Sequence, residues 1–361
     1  MRISFFSFLL VGALVAVRGF AKTLRESELT TVAKYDFVVS IPDVHGDLEV
    51  LLRALWMAKQ EVDGPEAAGD FEAFKSIFAA AVEEKPFQAL EAQKRVLMIQ
   101  TGDIIDRGAQ SLSCYRALWQ VEHVLGWDIV NLIGNHEVMT MAGQADHYAH
   151  PGDVEEFGSM KARRAAFSPG GRVWKKITDH YLFMTKVHLG EQEAALFVHA
   201  GLHPKWVAKL NKDITDVSGL NDFLTAELKR NPSSHILSSS SSPIWTRDLA
   251  QDADSNVCPR LLKQVLDLFG VTRIIVGHTP QEALKSTPRC DAKLILADVA
   301  MSRWMGSGRD GNPAALIFTL SDDGRILERI HNVYWRANQL TDQPIYEATP
   351  GETASEVFHE L

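Results

Sequence analysis

Residues 34–47 read KYDFVVSIPDVHGD: a charged lead-in, a β-branched and aromatic run from Phe37 to Ile41, then an abrupt stop at Pro42 and Asp43. Proline cannot donate to a sheet ladder, so the run predicts a strand that ends there and passes directly into a loop carrying Asp43 and His45. The same event recurs at RVLMIQTGD (95–103), DIVNLIGNH (128–136), AALFVHAG (194–201), VTRIIVGHT (271–279) and KLILADVA (293–300). Each is an apolar run of strand length followed at once by a loop with Gly, Asp or His. Between them, apolar residues recur at helical spacing over 48–59, 71–82, 111–124 and 259–269. Strands alternating with helices predict a layered α/β fold with buried sheets.

The remaining stretches set the domain organisation. Residues 60–94, with the turn Asp63-Gly64-Pro65, read as an insertion and a surface elaboration. Residues 146–186, rich in His, Gly and charge and containing Ser168-Pro169-Gly170-Gly171, read as a long excursion that overlies the site as a specificity element. Ser238–Ser242 reads as a mobile loop and the acidic tail after Tyr346 as frayed. No fixed period runs through the chain, which excludes solenoids and propellers.

The chain has 361 residues, 46% hydrophobic and 23% charged, the composition of a globular protein and not of a disordered chain or coiled coil. Its 46 acidic and 37 basic residues leave a formal charge of -9, which argues against a broad grip on nucleic acid. Cys114, Cys258 and Cys290 allow at most one internal disulfide, and without CxxC no finger-type zinc site is expected. Arg2, the apolar run Ile3–Val17 and Arg18-Gly19-Phe20-Ala21 predict a signal peptide over 1–21 and a single domain over 22–361. That places the protein in the secretory pathway, outside the cell or in a lumen, or in the periplasm if bacterial. The apolar run falls short of the ~20 residues of a membrane span, so membrane attachment follows only if the segment stays uncleaved. Pro232 blocks the Asn231 glycosylation match, which therefore adds nothing to that expectation.

The residues at the strand ends carry the chemistry. In open α/β sheets these ends face a common crevice, so side chains far apart in sequence converge. Asp43, His45, Asp103, Asn135, His199 and His278 are oxygen and nitrogen donors suited to Mn, Fe or Zn. Two such ions need a bridging carboxylate, for which Asp103 is the best placed; Asp43 and His45 would hold one ion, and Asn135, His199 and His278 would complete the other. Such a pair would present a shared hydroxide to a phosphorus centre. Arg107, directly after the Asp103 loop, and Arg247, in SPIWTRD, are candidates to clamp the phosphoryl oxygens. His136 is expected to protonate the leaving oxygen, held by Asp106. Of the other histidines, His147 and His150 are expected in solvent, while His203 is left open. Trp56, Trp119 and Trp174 are expected in the core and Trp304 at the rim of the crevice.

The ordered set PDVHGD, GDIIDRG, GNHE, HAG and GHT resembles the calcineurin-like metallophosphoesterases of the phosphoprotein phosphatase superfamily over Phe37–Phe318. FSPGG, SPIWTRD and DVAMSRW are similar to its Shewanella-like phosphatase branch. The resemblance implies a central β-sandwich of two mixed sheets flanked by helices, and a dinuclear centre that hydrolyses phosphomonoesters without a phosphoenzyme. It implies Asp43, His45 and Asp103 at one ion and Asp103, Asn135, His199 and His278 at the other, with His136 and Asp106 as the acid pair and Arg107 and Arg247 as the phosphate clamp. Pro42 and Ala200 stand where the superfamily usually has glycine, and neither change removes a ligand. The expected substrate is a protein or peptide phosphorylated on Ser/Thr, Tyr or both, and any regulatory subunit is unknown. Two alternatives keep part of this reading: a small-molecule phosphoesterase or dinucleoside polyphosphate hydrolase, and a phosphate-binding module without turnover.

Overall fold

The computed structural model describes residues 28–30 and 34–348, apart from 91, 211–213, 215, 307, 309, 337 and 338. The expected signal peptide, and the tail from 349 onward, lie outside the described residues. In chain order the strands are β1 (Glu28–Thr30), β2 (Phe37–Ile41), β3 (Val96–Gln100), β4 (Asp128–Asn131), β5 (Met184–His188), β6 (Ala194–Val198), β7 (Arg273–Val276), β8 (Thr287–Arg289), β9 (Leu294–Leu296), β10 (Ala314–Leu320), β11 (Leu327–Arg336) and β12 (Gln339–Glu347). They form two six-stranded sheets, ordered β1-β5-β6-β7-β9-β8 and β12-β11-β10-β2-β3-β4. Both are mixed. β2, β3 and β4 run parallel, as do β6, β7 and β9, whereas β10 joins β2 antiparallel and β5 joins β6 antiparallel.

The alternation of side chains along a strand explains why these runs are apolar throughout. Val38 of β2, Leu97 and Ile99 of β3, Phe197 of β6 and Ile275 of β7 point into the space between the sheets, where the rings of Phe197 and Phe318 meet at 5.7 Å. Their neighbours Val39, Met98, Leu196 and Ile274 point outward into a second core shared with the helices. The result is the expected β-sandwich flanked by helices. No helix among the described residues is long and apolar enough to cross a membrane.

Several local expectations change. Residues 60–94 are a surface elaboration only in part: the first helix continues through Leu48–Asp63 and the helix Phe71–Val82 buries Phe74 and Phe78, whereas 83–89 are exposed. The buried Lys59–Asp63 ion pair, 2.6 Å apart, anchors the return, because the other Asp63 oxygen accepts from the Gln93 and Lys94 amides at 3.0 and 2.9 Å. The 111–124 pattern breaks into helices Ser111–Leu118 and Val121–Leu125, and 259–269 divides into a π-helical turn over Val257–Leu262 and a helix over Lys263–Phe269. The serine tract is anchored at both ends: Ser238 closes the helix His235–Ser238, and buried Ser242 donates its hydroxyl to Leu237 O at 3.0 Å. Cys258 and Cys290 form a disulfide with Cα atoms 5.4 Å apart, and Cys114 is free and buried.

Candidate metal centre

Parallel pairing brings the carboxyl ends of β2, β3 and β4 to one edge and those of β6 and β7 to the facing edge. Asp43 and His45 follow β2, Asp103 follows β3, and Asn135 and His136 open the helix Asn135–Met141 after β4; His199 follows β6 and His278 follows β7. All seven are buried. The backbone is left-handed at His45, Asp103, Asp106, Arg107 and His278, with φ of 47°, 53°, 71°, 69° and 64°. Such residues cost about 1–3 kcal/mol each and persist only where the surroundings fix them. Glu137 does much of that fixing. Its carboxylate accepts from the amides of Gly134, Asp103 and Ile104 at 2.8, 2.9 and 2.8 Å and from the Tyr115 hydroxyl at 3.0 Å. The GNHE stretch contains Glu137, and its place as third residue of a helix was the signal for this capping role.

Each donor nitrogen is oriented from behind. His45 Nδ1 donates to Ile105 O at 3.2 Å and His199 Nδ1 to Thr101 O at 2.9 Å, which leaves both Nε2 atoms facing the cleft. Asp103 Oδ2 lies 3.7 Å from His45 Nε2, and Asp103 Oδ1 lies 3.5 Å from His199 Nε2. Asn135 Oδ1 is 3.0 Å from His199 Nε2, while the buried His278 Nε2 has no hydrogen-bond partner among the described residues. Asp43 accepts from the His278 amide at 3.0 Å and from the Thr101 hydroxyl at 3.3 Å. Donor atoms of Asp103, His199 and His278 lie within 4.8 Å of one another, and so do those of Asp103, His45 and His136. The second group includes His136, which the sequence reading set aside as a proton donor; Asp43 stands beside these groups and not within them.

The electrostatics of the pocket suit a bound cation. Burial, together with Asp298 and Asp103, pushes Asp43 well above the usual carboxylate range. Burial lowers His45 to about 4 and, with His199, lowers His278 to about 2, so both imidazoles are neutral with a lone pair to give. At His199 burial opposes the charge, but Asp103 and Asp43 outweigh it and hold the ring at about 10. A proton on His199 thus offsets carboxylates that a cation would offset better. Oxygen and imidazole donors without a thiolate fit Mn, Fe or Zn.

The flanks are also built. Arg107 donates its amide to Tyr148 O at 2.9 Å, its guanidinium lies over the Tyr148 ring at 4.7 Å, and its buried Nε has no partner among the described residues. Its charge bears on His45 and His136. Arg247 donates through Nη1 to His278 O and Thr279 Oγ1 at 3.1 and 3.0 Å, and its charge bears on His278 and Asp298. The two arginines therefore approach from different sides. His136 Nδ1 meets Asp106 Oδ2 at 2.7 Å; burial disfavours the imidazolium, yet Asp103 and Asp106 raise it above its ordinary value.

Among the other sequence expectations, Trp56, Trp119 and Trp174 are buried as expected, and Trp304 is 36% exposed. His150 is not a solvated side chain, since it caps the helix Pro151–Glu156 through the Gly152 amide at 3.0 Å and packs on Trp304 at 5.5 Å. His147 is exposed but its ring lies 3.9 Å from that of Tyr148. His203 caps the helix Pro204–Val207 and stays apart from the donor groups. Four residues escaped the sequence reading: Glu137, Tyr148, Asp298 and Arg163. Asp298 ends the sixth strand-loop unit, whose Asp was the available signal; burial raises it to about 6. Tyr148 and Arg163 belong to the 146–186 excursion, where no local pattern marks them.

Known proteins share this fold and its strand-loop pattern. The chain is 27% identical to an uncharacterized protein of Schizosaccharomyces pombe over 310 residues, 82% of this chain and 87% of that one. It is 24% identical to Shewanella-like protein phosphatase 1 of Plasmodium berghei, covering 75% of this chain and 69% of the relative. The crystal structure of the cold-active protein-tyrosine phosphatase of a psychrophilic Shewanella species superposes with a TM-score of 0.62 at 19% identity, over 90% of this chain and 84% of that one, and so shares the metallophosphoesterase fold. Residues 38–282 match the calcineurin-like phosphoesterase model, and with five of its strand-end loops meeting around one buried donor set, the chain belongs to the calcineurin-like phosphoesterase family.

Proposed function

We propose that the protein is a metal-dependent phosphoprotein phosphatase that hydrolyses phosphomonoesters of Ser/Thr, Tyr or both at a centre of two ions. The observation that carries this reading is the Asp103 carboxylate, whose two oxygens face different histidines, Oδ2 toward His45 and Oδ1 toward His199. One carboxylate shared by two donor groups is what an ion pair requires. Asp43, His45 and Asp103 would hold one ion, and Asp103, Asn135, His199 and His278 the other. When bound, Mn, Fe or Zn ions supply Lewis acidity and an activated water.

The chain's own residues do the rest. Arg107 and Arg247 bind the phosphoryl oxygens from two sides, where planar guanidinium donors suit their geometry. His136, with Nδ1 tied to Asp106, offers Nε2 to protonate the leaving oxygen. The likeness to a Plasmodium protein phosphatase and a Shewanella protein-tyrosine phosphatase supports a phosphoprotein as substrate. The Cys258–Cys290 disulfide supports a secreted or lumenal location, since such bonds persist in oxidising compartments. Amino-terminal sequencing of the mature protein tests that location, and an intact amino terminus would contradict it.

Phosphate release from phosphoserine, phosphothreonine and phosphotyrosine peptides, measured beside the elemental content of the purified protein, tests the function. Release from at least one peptide, with Asp103→Asn abolishing it, is expected. Metal-loaded protein that releases phosphate from none of them contradicts the proposal.

A further inference from the structure

Behind His136 a line of buried charges leads away from the cleft. Asp106 gives Oδ2 to His136 Nδ1 at 2.7 Å, and its other oxygen, Oδ1, accepts from Arg163 Nη2 at 2.5 Å. Arg163 Nε then donates to Asp153 Oδ2 at 2.7 Å. Asp106 and Asp153 are wholly buried and Arg163 is 1% exposed. A buried guanidinium between buried carboxylates costs desolvation that only close pairing offsets, and a hydrophobic replacement often serves stability equally well. The sandwich does not supply this line. Asp153 comes from the helix Pro151–Glu156 and Arg163 from the helix Met160–Phe167, both within the 146–186 excursion.

The excursion is fastened where it must be if that line is to hold. Glu156 accepts from the Leu112 amide at 2.9 Å and the Ser113 hydroxyl at 2.5 Å, which pins the helix Pro151–Glu156 to the start of the helix Ser111–Leu118. Ser111, at that same start, accepts from the Asp106 amide at 3.3 Å. Both ends of the Arg163 bridge are thus registered to one helix terminus.

We infer that Arg163 is a positioning residue for delivery of the leaving-group proton, a conclusion that rests on the phosphomonoesterase reading above. By occupying Oδ1 it turns the Asp106 carboxylate so that Oδ2 meets His136 Nδ1, and this fixes the imidazole with Nε2 toward the cleft. In the step concerned, the ester P–O bond breaks, its electron pair passes to the ester oxygen, and that oxygen takes the Nε2 proton. The attacking water oxygen forms the new P–O bond and gives up one proton to solvent, which returns a proton to Nε2, so the products are an alcohol and inorganic phosphate. Arg163 keeps its own protons throughout. Lysine cannot replace it, because one ammonium cannot present the two fixed donor directions, Nε to Asp153 and Nη2 to Asp106, that the planar group spans.

A leaving group that needs the proton separates this role from a purely structural one. Alkyl and phenyl phosphates depend on general acid help, whereas 2,4-dinitrophenyl phosphate releases its phenolate as a stable anion. The experiment measures kcat and KM across that series for the unsubstituted protein, for Arg163→Lys, and for the pair Arg163→Met with Asp153→Asn. The paired variant removes a buried carboxylate along with the cation and so avoids stranding it. For both variants, kcat on alkyl and phenyl phosphates is expected to fall about 100-fold, against less than ~3-fold on the dinitrophenyl ester, with KM and metal content unchanged. Equal loss on all esters, no loss on any, or failure of both variants to fold would overturn the inference while leaving the function standing. An unsubstituted, metal-loaded protein inactive on the whole series would overturn the functional reading, and this inference with it.

Discussion

At position 277 one added methyl group would collide with the candidate metal centre. A Cβ there would sit 2.3 Å from Asp43 Oδ1 and 3.0 Å from Thr101 Oγ1, and the φ at neighbouring His278 is already left-handed at 64°. Neither side chain is the far end of a flexible group, so the carboxylate has to move. Gly277→Ala is therefore expected to lose most of its bound metal, read by elemental analysis, in protein that remains folded. Gly143→Ala is the matched control: φ is 71° but nothing lies within 4 Å of the added atom. It should lower stability by about 1 kcal/mol from backbone strain and keep its metal. Equal metal content in the two variants would disprove the close-approach argument. The same scale shows what local sequence reveals. Asp43, Asp103 and His278 are legible because each directly follows a strand-like run, whereas Arg163 is a charged residue in a polar helix and only its tertiary partners give it meaning.

Among the elements, the six strands read from the sequence, β2, β3, β4, β6, β7 and β9, are those whose runs end in chemically marked loops. β1, β5, β8, β10, β11 and β12 do not stand out in this way: β10 is an apolar run that ends in no marked loop, and the others owe their strand state to pairing with neighbours more than to composition; β12 carries Pro344 on an edge and alternates in exposure. The helix Leu48–Asp63 outran its expected end at Lys59 because tertiary contacts hold its last turn. One is Glu61, which lies 3.0 Å from His331 Nε2 of β11. The His331 hydrogen bond lowers the Glu61 pKa against the cost of burial. A carboxylate whose folded pKa is depressed contributes stability that is present above its unfolded pKa, near 4.3, and is lost as pH falls through the folded value. Glu61→Gln should accordingly be less stable than the parent at pH 7, with the gap closing below about pH 4 in urea titrations. A gap that does not change with pH would rule out the ionic contribution. The disulfide acts at this scale as well, tying the π-helical turn Val257–Leu262 to the segment after β8 across a sequence separation of 32. Replacing both Cys258 and Cys290 by serine should cost about 3–4 kcal/mol, seen as a lower urea midpoint, and an unchanged midpoint would contradict that.

For the whole molecule, the two sheets meet at their loops through a cluster of carboxylates that the protein alone neutralises only in part. Asp298 and Asp103 both raise the cost of ionising Asp43, and His45 and His278 are held neutral by burial, which leaves the proton on His199 to offset that cost in part. Bound cations should then act as a clasp between the halves of the sandwich, and a ligand at about 100 times its dissociation constant stabilises by about 2.7 kcal/mol. Chelation is expected to lower the thermal midpoint by on the order of 5 °C or more and to abolish phosphate release, with Mn, Fe or Zn restoring both. Asp43→Asn makes the sign of the effect testable without reference to activity. In metal-loaded protein it removes a candidate ligand and should lower the midpoint, but in chelated protein it removes a repelling buried carboxylate and should raise the midpoint above that of the chelated parent. Differential scanning calorimetry of the four samples decides the matter. If Asp43→Asn shifts the loaded and the chelated protein in the same direction, Asp43 serves the scaffold and not an ion.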